Sequence, residues 1–204
     1  MNQEQIDNLI RENGGPFIFD RMFRAVEKVR ERLERACAAL EKHKVPYAVV
    51  GGNAVAAWVA TVDEGAVRNT RDVDILLNRQ DIDRATVALQ EAGFHREVAK
   101  GSTLFLDGPD GTPSQGVHIL WAAEKVRPEY VDASPLPSQS QNLEGMQIVE
   151  MERLVSMKLN SYRRKDQVHL LDLIGVGLVD EAWPARFSQV LSERLQELLD
   201  DPDG

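Results

Sequence analysis

The sequence predicts an α/β fold of the α+β kind, in which a small mixed β-sheet flanked by helices is followed by a C-terminal helical bundle. Three observations carry that prediction. Short apolar or alternating runs at 47–50, 72–77, 102–106 and 117–121 have the length and period of strands, and helical periods separate the first three. The stretch DGPDGTPSQG between the last two has two Asp-Gly pairs and Pro113, which suit a long hairpin connection. From Met151 onward only the helical period remains.

The elements follow in order. Asp20 is placed to cap a long helix whose Phe23, Val26, Val29, Leu33, Cys37 and Leu40 recur at three or four, giving a core-facing helix that ends before Pro46. Tyr47-Ala48-Val49-Val50 is a short strand that stops at Gly51-Gly52, and the Ala-rich run 53–60, free of Pro and Gly, is a helix. Asp72-Val73-Asp74-Ile75-Leu76-Leu77 alternates as a strand. Residues 81–92 form a helix that Gly93 closes with a left-handed cap. The polar run PSQSQNLEG reads as a loop and as the internal boundary, dividing a core with N-terminal helices at 1–134 from a helical bundle at 145–204. Three apolar sets build that bundle: Met151, Leu154 and Val155; Val168, Leu171 and Ile174; Phe187, Val190, Leu191, Leu195 and Leu198.

Composition narrows the function by exclusion. A hydrophobic fraction of 43% with 28% charged residues belongs to a globular chain rather than a disordered one. With 24 Lys+Arg against 33 Asp+Glu the net charge is −9, which argues against a general grip on nucleic-acid phosphates and leaves room only for a local basic site. The single Cys37 excludes an internal disulfide and a thiolate zinc site. No apolar run approaches the roughly 18 to 20 residues of a membrane helix, and the opening MNQEQIDNLIREN lacks the basic start and apolar centre of a signal peptide. A soluble, cytoplasmic protein with no membrane partner is expected.

The chemistry-bearing region is VVGGNAV followed by RNTRDVDILL. In a strand, Asp72 and Asp74 project from one face with Cα atoms roughly 6 to 7 Å apart, while Val73, Ile75 and Leu77 take the other. Two unpaired carboxylates side by side repel each other, and a divalent ion between them turns that repulsion into binding. Magnesium fits such oxygen ligands and leaves part of its shell to water and phosphate. At Gly51-Gly52, the lack of Cβ atoms lets the backbone approach a triphosphate beside a helix N-terminus.

The order strand, Gly-Gly, helix, then an Asp-x-Asp strand resembles the DNA-polymerase-β-like nucleotidyltransferase superfamily, over about residues 45–121. A second segment, Lys158-Leu159-Asn160-Ser161-Tyr162-Arg163-Arg164-Lys165-Asp166 before a Leu-rich helix, is similar to the Lys-Leu…Arg-x-Lys-Asp segment of the AbiEii-type group, the toxin-like nucleotidyltransferases of abortive-infection systems. The resemblance implies a nucleotidyltransferase fold and transfer of a nucleotidyl group from a nucleoside triphosphate to a hydroxyl, with magnesium or manganese held by Asp72 and Asp74. It implies catalytic roles for Asp72, Asp74 and His118, and nucleotide binding by Gly51, Gly52, Asn53, Arg71, Lys158, Arg163, Lys165 and Asp166. It also implies an acceptor of unspecified class, tRNA, protein or small molecule, and a toxin–antitoxin setting with an antitoxin partner. Lys158 either grips the triphosphate or snorkels from the bundle.

The sequence departs from the pattern in three places. The superfamily's third carboxylate, which activates the acceptor hydroxyl, corresponds to His118, able to take a proton or to ligate a metal. A catalytically impaired nucleotide-binding or partner-binding module of the same fold is therefore the competing reading, and an antibiotic-type transferase acting on a small polyol is a third. The 19 residues between Gly52 and Asp72 demand an extra turn or loop, whose Arg68 and Arg71 either balance the carboxylates or touch phosphate. In the tail His169 stands where relatives often carry Asp, reading as a satisfied helix histidine, with Asp172 a turn on.

Overall fold

The computed structural model describes residues 2–5, 8, 18–99 and 101–202. A long helix α1 (Ile18–Lys42) leads into β1 (Tyr47–Val50), α2 (Gly51–Ala60) and β2 (Val73–Leu77). Then come α3 (Ile82–Glu91), β3 (Phe94–Ala99), β4 (Ser102–Asp107) and β5 (Val117–Trp121). The chain continues through β6 (Ser140–Leu143) and β7 (Met146–Val149) to three helices, α4 (Met151–Ser161), α5 (Arg164–Gly175) and α6 (Gln189–Asp200). The strands make one mixed sheet in the order β3-β4-β5-β2-β1-β7-β6. β1 runs antiparallel to β2 and parallel to β7, and β2 runs parallel to β5. The predicted small mixed sheet with flanking helices and a C-terminal helical set is therefore present, with seven strands rather than four.

The three unforeseen strands have physical reasons for their silence. β3 and β6 are the two edges, where one side of the strand meets solvent and apolar alternation weakens. His95, Arg96, Glu97 and Val98 are all exposed, and β6 reads Ser-Gln-Asn-Leu. The polar run expected to be a loop is, from Ser140 onward, one arm of a hairpin, Leu143 pairing with Met146 across Glu144 and Gly145. Both turn residues have positive φ (50° and 86°), the primed geometry whose twist matches paired strands. β7 buries Ile148 and Val149 completely against β1, so the sheet extends to Val149 and the helices begin at Met151.

Central strands carry the core. Val49, Val50, Val73, Ile75, Leu76 and Leu77 are fully buried, and α1 supplies Leu33, Ala36, Cys37 and Leu40. The expectation that all of α1 faces the core fails for its first half. The helix starts before Asp20, which lies in its first turn rather than capping it, and Phe23 and Val26 are exposed. It packs against the core from Val29 onward. In α5 the buried stripe is Asp166, Leu170 and Leu173, not Val168, Leu171 and Ile174, which are half-buried; buried Asp166 sets the rotation of the helix. α6 buries Leu191, Leu195 and Leu198 as expected and exposes Val190. No helix among the described residues is long and apolar enough to cross a membrane.

Candidate active site

β2 lies between β1 and β5, which brings three chemistry-bearing positions together. The register pairs Val50 with Asp74 across the antiparallel edge and Asp74 with His118 across the parallel one. Asp72 lies one residue before β2, and the Asn53 side-chain amide donates to its carbonyl (2.7 Å), fixing the start of the strand to α2. Asn53 thus works behind the carboxylates and is the one predicted site residue that does not line the cleft.

The glycine pair is constrained by these same side chains. Helix α2 begins at Gly51 itself, which has φ +71°, a conformation that L side chains rarely adopt. A Cβ there would stand 2.9 Å from Asp74 Cγ and closer still to Oδ2. At Gly52 a Cβ would meet Thr70, 2.8 Å from its Oγ1. The first glycine makes room for the carboxylate, and the second lets the loop before β2 close on the helix.

Asp74 is half-buried, and burial raises the pKa of its carboxyl above the ordinary value, with the Asp72 charge adding to the rise; His118 and Lys158 act in the opposite direction. His118 Nε2 lies 2.9 Å from the Pro113 carbonyl. A carbonyl oxygen only accepts, so Nε2 carries a proton, and in the neutral ring Nδ1 keeps its lone pair.

Helices α4 and α5 form the facing wall. Asp166, 1% exposed, is its centre. It accepts from Ser161 Oγ (2.7 Å), Arg163 Nε (2.7 Å), the Arg163 amide (3.2 Å) and Lys158 Nζ (3.4 Å). Burial works to raise its pKa, but the hydrogen bonds from Arg163 and Ser161 and the Lys158 charge outweigh that and hold it below the usual carboxylate range. Lys158, 5% exposed, also donates to His169 Nδ1 (2.9 Å). Burial lowers the Lys158 pKa against the pull of Asp166 and Asp74. His169 is the satisfied helix histidine; burial and the neighbouring ammonium push it down to about 4. Lys165 reaches across the cleft to Asp72, Nζ to Oδ2 3.9 Å. Arg71 lines the cleft, exposed, with no ion pair or hydrogen bond to a described residue.

Between the walls lies a cleft of about 570 Å³. Gly51, Gly52, Arg71, Asp72, Asp74 and His118 line it from the sheet side; Lys158, Arg163, Lys165 and Asp166 line it from the helices. Sequence reasoning missed the contacts that tie the loops to the helical wall. Arg68 pairs in bidentate fashion with Asp172 of α5 (3.0 Å), not with Asp72, which pins the long loop before β2 to the bundle. Asn160 accepts from the amides of Val131 and Asp132 (2.8 and 3.0 Å), and Ser156 donates to the Asp132 carboxylate (2.9 Å). The available signal was an Asn on the apolar helix between Lys158 and Asp166; the structure buries it. After β5, Glu124 pairs with Arg79.

The resemblance in the sequence implies a divalent cation. Asp72 directly before β2 and Asp74 within it, with a glycine leaving the space at Asp74 that a Cβ would fill, fit a hard, oxygen-seeking ion. No group of three His, Cys, Asp or Glu among the described residues is arranged to hold a metal without help, so phosphate or water oxygens would complete the shell.

The fold is similar to an antigenic nucleotidyltransferase-like protein from Paracoccidioides brasiliensis, with a TM-score of 0.54 and 20% identity over 88% of this chain and 91% of that one. It is also similar to a candidate nucleotidyltransferase from H. pylori, with a TM-score of 0.51 and 18% identity over 88% of this chain and 78% of that one. No curated protein matches the sequence. Residues 22–151 match the family model described as uncharacterised nucleotidyltransferase; they span the sheet and both carboxylates, and the chain belongs to that family.

Proposed function

We propose that the protein transfers a nucleotidyl group from a nucleoside triphosphate to a hydroxyl acceptor, with release of pyrophosphate. The observation that carries this reading is the seat of Asp74: a half-buried carboxylate, held against a glycine that tolerates no side chain, beside Asp72 and His118 on the floor of a cleft. Burying a carboxylate without a cation is unfavourable, so the arrangement makes sense as a binding site. Asp72 and Asp74 would hold magnesium, or manganese, and the ion when bound supplies positive charge to the phosphates. Lys165 and Arg71 are the cations whose charge faces the cleft with least prior engagement, and they are assigned to the triphosphate. Lys158 and Arg163 act chiefly through Asp166, and Lys158 also offsets the charge of Asp74. His118 Nδ1 is free to take the proton of the acceptor hydroxyl as its oxygen attacks the α-phosphorus.

The Lys-Leu…Arg-x-Lys-Asp segment supports the finer AbiEii-like reading, with a cytoplasmic toxin–antitoxin setting, an antitoxin partner and tRNA, protein or small molecule as acceptor. One observation favours the second reading, a nucleotide-binding module without activity: the position beside Asp74 carries an imidazole where the superfamily pattern it resembles has a carboxylate. Label transfer separates the two. Incubating the protein with each labelled nucleoside triphosphate, magnesium or manganese, and cell RNA or protein should label an acceptor, and Asp72→Asn should abolish labelling. His118→Ala should lose about 10²-fold to 10⁴-fold in rate while keeping nucleotide affinity. An inactive parent that binds nucleotide, with transfer appearing in His118→Asp, would establish the module instead.

A further inference from the structure

Helix α1 carries one apolar stripe along its length, and the domain covers only part of it. Phe19, Met22, Val26 and Val29 are spaced alternately by three and four, and the same seven-residue period continues through Leu33, Ala36 and Leu40. Leu33, Ala36 and Leu40 are buried, and Val29 is half-buried against the core. Phe19, Met22 and Val26 are 65%, 60% and 40% exposed, and Phe23 beside them is 72% exposed. Among the described residues none of these four packs against the core or touches another ring. From Ile18 to Lys28 the helix thus runs about 16 Å with its core-facing stripe uncovered.

The uncovered stripe is complementary to a second copy of itself. With two such helices antiparallel and position 24 on the two-fold axis, Met22 meets Val26 of the second copy and Phe19 meets its Val29, so that each of the four positions has an apolar partner. Phe23 then lies across the axis from its own equivalent on one flank, and Ala25 from its own on the other, a small residue that lets the helices approach. Asp20 comes within a helical turn of Arg30 of the second copy, and the two-fold repeats that pair of opposite charges at both ends. Arg30 is available for it: it pairs with Glu34 (2.7 Å), yet its side chain is 78% exposed and its guanidinium has donors to spare. At about 200 Å² for a fully exposed Phe side chain, the four apolar residues leave on the order of 450 Å² uncovered on each copy. With the flanking side chains, two copies would bury on the order of 1,200 Å², the low end for a specific interface and the size of a reversible one.

We propose that the first half of α1 is a dimerisation element, pairing antiparallel with the same segment of a second copy of this chain. The surface is separate from the cleft, which no residue of α1 lines.

Sedimentation of the full chain over a concentration series tests the pairing. The parent should pass reversibly from monomer to dimer. Met22→Lys together with Val26→Lys should raise the dissociation constant about a hundredfold or more. Both positions are exposed in the monomer, so the melting temperature at a concentration where the parent is monomeric should stay within about 2 °C. Asp20→Arg alone should weaken the dimer about fivefold, and adding Arg30→Glu should bring it back to within about twofold of the parent. Asp20 and Arg30 lie ten residues apart on one helix and do not meet within a chain, so that recovery requires two copies. A parent that stays monomeric up to about 200 μM, or a dimer indifferent to the paired lysines, would overturn the proposal. A dimer that the second charge reversal does not rescue would overturn the antiparallel pairing. A lysine variant that melts well below the monomeric parent would show that the stripe is covered within its own chain, with the same consequence.

Discussion

The two walls of the cleft carry opposite charge and are built on opposite principles. On the sheet wall the carboxylates are left with little: Asp74 has a glycine where a side chain would touch it, and Asp72 has Lys165 at 3.9 Å. On the helical wall charge is consumed internally, since Asp166 takes Lys158, Arg163 and Ser161 and sits at 1% exposure. The densest positive cluster in the sequence is therefore not the most available one. A wall whose charges are satisfied is rigid and a wall whose charges are not is receptive, and breaking each should change stability in opposite directions.

The largest effect is expected at the satisfied wall. Asp166→Asn removes the carboxylate paired with the buried Lys158 ammonium, leaving it His169 and the charge of Asp74, and removing one partner of a buried pair costs about 3–5 kcal/mol. The pH dependence follows from the depressed pKa of Asp166. Its contribution is fully present above the unfolded value, about 3.9, and is lost as pH falls through the lower folded one. Urea unfolding should show a wide gap between parent and variant at pH 7 that closes in strong acid. A gap below about 1 kcal/mol at pH 7 would mean that this pair merely breaks even with its desolvation.

At the receptive wall the sign reverses. Burial raises the pKa of Asp74, so above the folded value its ionised form costs stability, and that cost is relieved as pH falls through it. Asp74→Asn should therefore stabilise by about 1 kcal/mol near neutrality, a rise of about 2–4 °C in Tm, with the advantage vanishing in acid. The same change should weaken magnesium-dependent triphosphate binding at least tenfold, about 1.4 kcal/mol. A destabilised variant would show that Asp74 is held by its neighbours as firmly as Asp166, and the contrast between the walls would collapse.

How much of this was legible depended on whether a signal was local. Asp74 and His118 lie on neighbouring central strands, Asp72 directly before one of them and the glycines directly after β1, and the register brings them together as the pattern implied. The helical wall was legible as residues and not as partners. Nothing in the order Lys158, Arg163, Lys165, Asp166 says that the aspartate will be buried at the N-terminal turn of α5 and gather the first two, while the third crosses to Asp72. Edge strands β3 and β6 were silent because solvent on one side removes the apolar period. Contacts across about a hundred residues, such as Arg68 with Asp172, leave no trace in a single sequence.

That last contact supplies the smallest effect and the sharpest question. Arg68 holds Asp172 with three hydrogen bonds, but its side chain is 61% exposed, and pairs of that kind contribute about 0.2–1 kcal/mol. Arg68→Ala should therefore lower stability by less than about 1 kcal/mol. The effect on nucleotide binding depends on what positions Asp72. Asn53 already fixes the Asp72 carbonyl, and Thr70 is wedged against Gly52, so the end of the loop has two holds of its own. With those intact, triphosphate affinity should stay within about threefold of the parent, less than the factor of ten that 1.4 kcal/mol represents. Calorimetry and thermal melting on the same variant give both numbers. A loss of affinity beyond tenfold at nearly unchanged Tm would mean that the helical wall positions the receptive one through this clamp, and that the two walls are a single machine rather than a scaffold and a site.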